Sequence, residues 1–218
     1  MSVIEIEVDG RTVRAYQALP SQGEGPGVLV LHAWWGLTPV FTDVCDWLAD
    51  AGFVALAPDL YDGKTAETVE QAETLAKALD EDAAFKVVNA ALAQLRSNKA
   101  VRGSHVGVIG FSLGSGFALA MRGPIGAIVT FYGTTYPAMV GPDGAIQGHF
   151  AEDDPYEPAE NVRGLENALR TAGRDVTFYT YPSTSHWFFE ANNAQYNAQA
   201  ADLAWRRTLD FLQTHLSG

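Results

Sequence analysis

The segment "HVGVIGFSLGSGFALAM" (105–121) carries Ser112 between Gly110 and Gly114, where an apolar strand-like run passes into a helix-like one. A serine on a sharp strand-to-helix turn stands clear of the sheet. Side chains two residues before or after it would meet neighbouring backbone, which is why G-x-S-x-G places glycine there. The helix that follows points its N-terminal N–H groups at any negative charge developing on a bound molecule. This is equipment for a nucleophile, provided a base takes the hydroxyl proton.

Five histidines could supply that base. His215 falls in the last turns of a helical C-terminal segment, His105 opens a strand and His149 lies inside the strand "AIQGHF". All three read as structural or solvated. His32 closes the strand "GVLVLH" and is placed to brace the loop after it. His186, in "YPSTSHWFF", follows the last strand on a polar loop and is the candidate base. An acid that holds the imidazole tautomer belongs between serine and histidine. There "GHFAEDDPYEP" (148–158) offers Glu152, Asp153 and Asp154. The order Ser…Asp…His is that of the α/β-hydrolase arrangement, not of chymotrypsin-like or subtilisin-like proteases. The N–H groups of Leu113 and of Trp34, in "LHAWWGLTP" (31–39), are the expected oxyanion donors. Trp35, Phe111, Tyr132 and Trp187 are expected to wall the site with Trp34, favouring acyl or aromatic groups over sugars or phosphates.

The elements that must position these residues are legible as alternating runs. Strands are expected at 3–8, 12–18, 27–32, 53–58, 105–110, 125–131, 145–150 and 175–180, with Asp9-Gly10 turning the first pair into a hairpin. Thr38-Pro39 reads as a helix start, and Phe41, Val44, Trp47, Leu48 and Ala51 form a stripe ending at Gly52. Further helices are expected around Phe85–Leu95, 113–122, 158–172 and 194–215. The acidic stretch 61–82 reads as a solvated helix on the rim. Strands alternating with helices imply a mostly parallel sheet of about seven to eight strands, covered on both faces, in a single α/β domain over 1–218.

Composition narrows the classes further. With 47% hydrophobic and 18% charged residues, the 218-residue chain is globular. A formal net charge of −12 without basic runs argues against nucleic acid and anionic membranes. One cysteine, Cys45, excludes an internal disulfide and a cysteine-rich metal site. The N-terminus lacks the basic and apolar regions of a signal peptide, so a cytoplasmic protein, monomeric or weakly dimeric, is expected.

The pieces "GVLVLHAWWGL", "DWLADAGFVALAPDLYDG", "VGVIGFSLGSGFALA", "HFAEDDPYEP", "YPSTSHWFF" and "RRTLDFL" together resemble the dienelactone hydrolase family of the α/β-hydrolase fold. The resemblance implies Asp154, in Asp-Pro-Tyr-x-Pro, as the acid and His186 as the catalytic histidine. It also differs in three places. Ser112 stands where the family's best-known members have cysteine. Ala33 stands where they carry a glutamate that activates that cysteine. Arg207 matches one of the arginines that look to hold the substrate carboxylate, but no arginine lies between Arg14 and Arg96 to match the other. The resemblance therefore implies hydrolysis of a small ester or lactone through an acyl-serine, with no metal or organic cofactor. The same triad would also serve an amide or peptide hydrolase or an acyltransferase, and a non-catalytic ligand-binding module is the reading from another class.

Overall fold

A computed structural model describes residues 2–141 and 143–216. Asp9 and Gly10 both take positive φ (49° and 79°), the turn that matches the right-handed twist of paired strands. They join β1 (Ser2–Val8) to β2 (Arg11–Ala18) in an antiparallel hairpin. β2 then pairs antiparallel with β4 (Val54–Pro58). From there the sheet is parallel through β3 (Gly25–Leu31), β5 (Val101–Phe111), β6 (Ile125–Phe131), β7 (Ala145–Asp153) and β8 (Val176–Ser185). Among the described residues the order is β1-β2-β4-β3-β5-β6-β7-β8.

The central strands are apolar on both sides because both faces are covered. Alternate residues divide cleanly. Leu29, Leu31, Val108, Ile128 and Ile146 face α3 (Glu81–Ser97), α4 (Leu113–Ala120) and α5 (Ala159–Thr171). Val28, Val30, Ile109, Phe111, Val129 and Phe131 face α1 (Pro39–Asp50) and α6 (Ala198–Leu216). This period-2 division fixes the register, since a one-residue slip would exchange the two cores.

Helix boundaries follow local chemistry. Pro39 opens α1, but Thr38 makes no side-chain capping bond there. Asp80 caps α3 by accepting from the N–H of Ala83. The stretch 61–82 is not one helix. Asp59 accepts from the N–H groups of Tyr61 and Gly63, holding a turn in which Asp62 and Gly63 have positive φ. The short α2 (Val69–Ala78) begins only after Thr68, and it ends where Leu79 turns extended. His105 lies inside β5 rather than opening it, because exposed residues from Val101 onward already pair with β3.

One buried polar knot ties α6 to the sheet. The Nδ1 of His149 accepts from the Tyr181 hydroxyl at 2.8 Å, while Nε2 lies 2.9 Å from Gln147 Oε1 and 3.1 Å from Thr208 Oγ1. Its ring stacks on Phe131. Burial, with Arg207 nearby, lowers its pKa from 6.5 to about 3. Between those values the unfolded chain binds the proton and the folded one does not. Stability supplied by neutral His149 is thus complete above about pH 6.5 and is lost as pH falls. His149→Phe keeps the stacked ring and removes the titration. Urea unfolding should show its stability depending less steeply on pH between about pH 4 and 6, by about 1.4 kcal/mol per pH unit. Equal slopes in the two proteins would contradict this account.

Candidate active site

The backbone between β5 and α4 is strained at one residue. Ser112 sits at φ 48°, ψ −110°, a conformation that side-chain-bearing residues rarely adopt and that costs about 1–3 kcal/mol. Its N–H donates to Phe131 O at 2.9 Å, and its carbonyl accepts from Ser115 N at 2.9 Å, so strand and helix both hold it. A Cβ on Gly110 would run into the Gly114 carbonyl, and one on Gly114 into the carbonyl oxygens of Leu31 and His32. Both glycines are therefore required by contact.

The turn aims Ser112 Oγ at the Nε2 of His186, 3.0 Å away. His186 follows β8 directly, and its Nδ1 lies 2.8 and 2.7 Å from the two oxygens of Asp154. The side chains of His186 and Asp154 are each only 3% exposed. Asp154 Oδ1 also accepts from the N–H groups of Tyr156 and Glu157, which fixes the carboxylate before it meets the imidazole. Asp153 is exposed, and Glu152 is exposed and bonded to Ser183 N. The loop is tied down once more by Glu157, which accepts from the N–H and hydroxyl of Thr134, and burial raises its carboxyl pKa.

The N–H groups of Leu113 and Trp34 have no hydrogen-bond partner among the described residues. Leu113 opens α4, so its N–H belongs to the unpaired first turn. Trp34 is set by His32, whose Nδ1–H donates to Ala33 O at 2.7 Å while Nε2 accepts from Leu60 N. Burial lowers the pKa of His32, favouring the neutral ring that this pairing needs. The pair locks the loop after β3 to the loop after β4. A second bond, Ala66 N to Trp35 O, adds to it.

Aromatic side chains pack around His186. Trp34 packs on Trp187, Trp35 and Tyr156, and Tyr156 lies over the His186 ring at 5.0 Å. Trp35 packs on Trp187. Two of the expected wall residues are fully buried, and Arg207 is stacked on a tyrosine. Phe111 is fully buried, stacked on Phe131 and packed on Phe41, because strand alternation sends it to the α1–α6 face. Tyr132, also fully buried, lies against the His186 ring and donates its hydroxyl to Glu190, so it supports the imidazole from behind. Arg207 stacks its guanidinium on Tyr179 at 3.9 Å and donates to the Tyr181 hydroxyl, both on β8. Tyr156, Glu157 and Glu190 were missed by sequence reasoning. The single acid ending the aromatic run "WFFE" was the one available signal for Glu190.

The family model for the dienelactone hydrolase family matches residues 13–216. "Protein usf" of Aquifex pyrophilus is 31% identical over 99% of both chains. A Bradyrhizobium protein named "Probable 2-oxo-3-(5-oxofuran-2-ylidene)propanoate lactonase" is 30% identical over 100% of this chain and 96% of its own. The crystal structure of a dienelactone hydrolase-like promiscuous phosphotriesterase from metagenomic libraries superimposes with a TM-score of 0.85. It covers 99% of this chain and 98% of its own at 21% identity, a likeness of fold.

The strain at position 112 yields a test of its own. Ser112→Gly should be more stable to urea than Ser112→Ala by about 1 kcal/mol, since glycine alone relaxes at positive φ. Equal or lower stability of the glycine variant would show that the turn is not strained.

Proposed function

The chain belongs to the dienelactone hydrolase family, and we propose that it is a serine hydrolase of carboxylic esters or lactones working through an acyl-Ser112 intermediate. The observation that carries this reading is the unbroken hydrogen-bonded chain Ser112 Oγ–His186–Asp154, with the N–H groups of Leu113 and Trp34 left without a partner among the described residues. The relative named as a lactonase supports the same class of bond.

The steps follow from the geometry. Ser112 Oγ attacks the carbonyl carbon as its proton passes to His186 Nε2. Asp154 stays ionised, holds Nδ1–H and stabilises the imidazolium. The carbonyl oxygen takes up the negative charge and is held by the N–H groups of Leu113 and Trp34. When the tetrahedral intermediate collapses, the C–O bond to the alcohol breaks and His186 returns the proton to the leaving oxygen. A lactone opens at this step with its alcohol still tethered. Water then attacks the acyl-serine, His186 takes its proton, and the acid leaves as Ser112 is restored.

A recess of about 300 Å³ lined by Leu113, Gly116, Phe117, Thr135 and Met139 lies beside the serine's helix, and it suits a small apolar group. Ala33 in place of an activating glutamate fits a serine nucleophile, whose base is His186.

Steady-state hydrolysis of p-nitrophenyl acetate should fall by about 10⁴-fold or more in kcat for both Ser112→Ala and His186→Ala, with folding unchanged by circular dichroism. Because the two residues act as a unit, the double variant should lose no more than either single one. Turnover that survives in Ser112→Ala would remove the acyl-serine reading.

A further inference from the structure

Glu190 is a buried carboxyl that the proposed reaction does not use. It is 1% exposed, and one oxygen accepts the Tyr132 hydroxyl at 2.8 Å. The Trp35 indole N–H faces the same carboxyl but falls short of hydrogen-bond geometry, and it has no other partner. Burying such a group is costly without a partner for its charge. Tyr132 supplies a neutral donor only.

Glu190 is among the residues that line a polar cleft of about 360 Å³, with Trp35, Thr38, Thr65, Glu67 and Asn193. No lysine, arginine or histidine is among the lining residues, so the cleft holds two carboxyls and no cation. It lies close to the proposed chemistry. Trp35 follows the proposed oxyanion donor Trp34 and packs on Trp187, and Tyr132 touches both Glu190 and the His186 imidazole. Arg207, the cation that would answer a substrate carboxylate, is held by Tyr179 and Tyr181 instead.

Resting on the ester-hydrolase reading above, we propose that Glu190 is a specificity determinant. The cleft it shares with Trp35 takes a hydrogen-bond-donating, preferably ammonium-bearing, part of the ester and rejects a carboxylate. The related lactonase, by contrast, is named for a propanoate, an anionic substrate. A group reaching from the scissile carbonyl past Trp35 would meet a buried acceptor. An ammonium there gains a charge partner, whereas a carboxylate meets like charge in a poorly solvated place.

The test is kcat/KM at pH 8, above the value of about 7 to which burial pushes Glu190. Three methyl esters of matched chain length are compared by acid release in a pH-stat: neutral butyrate, 4-aminobutyrate and hemisuccinate. Wild type should rank them ammonium, neutral, carboxylate, with about tenfold or more between the extremes. Glu190→Gln, which keeps an acceptor for Tyr132, should compress that range to about twofold. If wild type cleaves the butyrate ester but shows no charge ranking, the Glu190 proposal fails and the hydrolase reading stands. Equal losses on all three esters in Glu190→Gln would mean that Glu190 only supports the fold. Failure of wild type on all three would overturn both readings. The absence of a charge ranking in wild type overturns the proposal even if the variant does not fold.

Discussion

One strained residue organises the molecule. Ser112 can project its hydroxyl only because the backbone there is left-handed, and that backbone fits only because Gly110 and Gly114 leave room for the passing carbonyls. The strain persists because β5, β6 and α4 each hold the turn by hydrogen bonds that a relaxed conformation would break. Everything else in the site is placed relative to that hydroxyl. The same turn leaves the first amide of α4 unpaired beside it, so the proposed nucleophile and one proposed oxyanion donor come from one local feature.

The remaining site residues arrive on loops, which are poor at holding position unless tied. Here each loop is tied by a polar side chain that hydrogen-bonds backbone groups. Neutral His32 joins the loops after β3 and β4, Asp59 closes the turn beyond β4, and Glu157 fastens the acid loop to the segment after β6. Asp154 is held by two amides before it meets His186. The aromatic cover of Trp34, Tyr156 and Trp187 then keeps water from the hydrogen-bonded pair, which strengthens each electrostatic contact there.

Much of this was legible in the sequence. The strands could be read because buried parallel strands are continuous apolar runs, and Asp9-Gly10 announced the hairpin. The motif around Ser112 announced the turn, since its glycines answer to backbone contacts that any chain with that turn must meet. Side-chain direction was harder to see. Phe111 adjoins the nucleophile in sequence, yet the pleat turns it to the opposite core. Arg207 lies within a family-like segment, yet the face of α6 it occupies looks onto Tyr179. Glu190 was invisible as a buried group because nothing in "WFFE" says that the chain doubles back to bring its carboxyl to Tyr132. The break in 61–82 depends on Asp59, a residue outside the stretch itself.

The central claim is that a covalent acyl group forms on Ser112. The direct measurement is mass spectrometry of protein quenched in acid within milliseconds of mixing with p-nitrophenyl acetate, followed by peptide mapping. The account predicts one acetyl adduct, on the peptide containing Ser112, which appears before steady state and is absent from Ser112→Ala. An unmodified Ser112 peptide during active turnover, or an acetyl group on another residue that turns over at the steady-state rate, would contradict it.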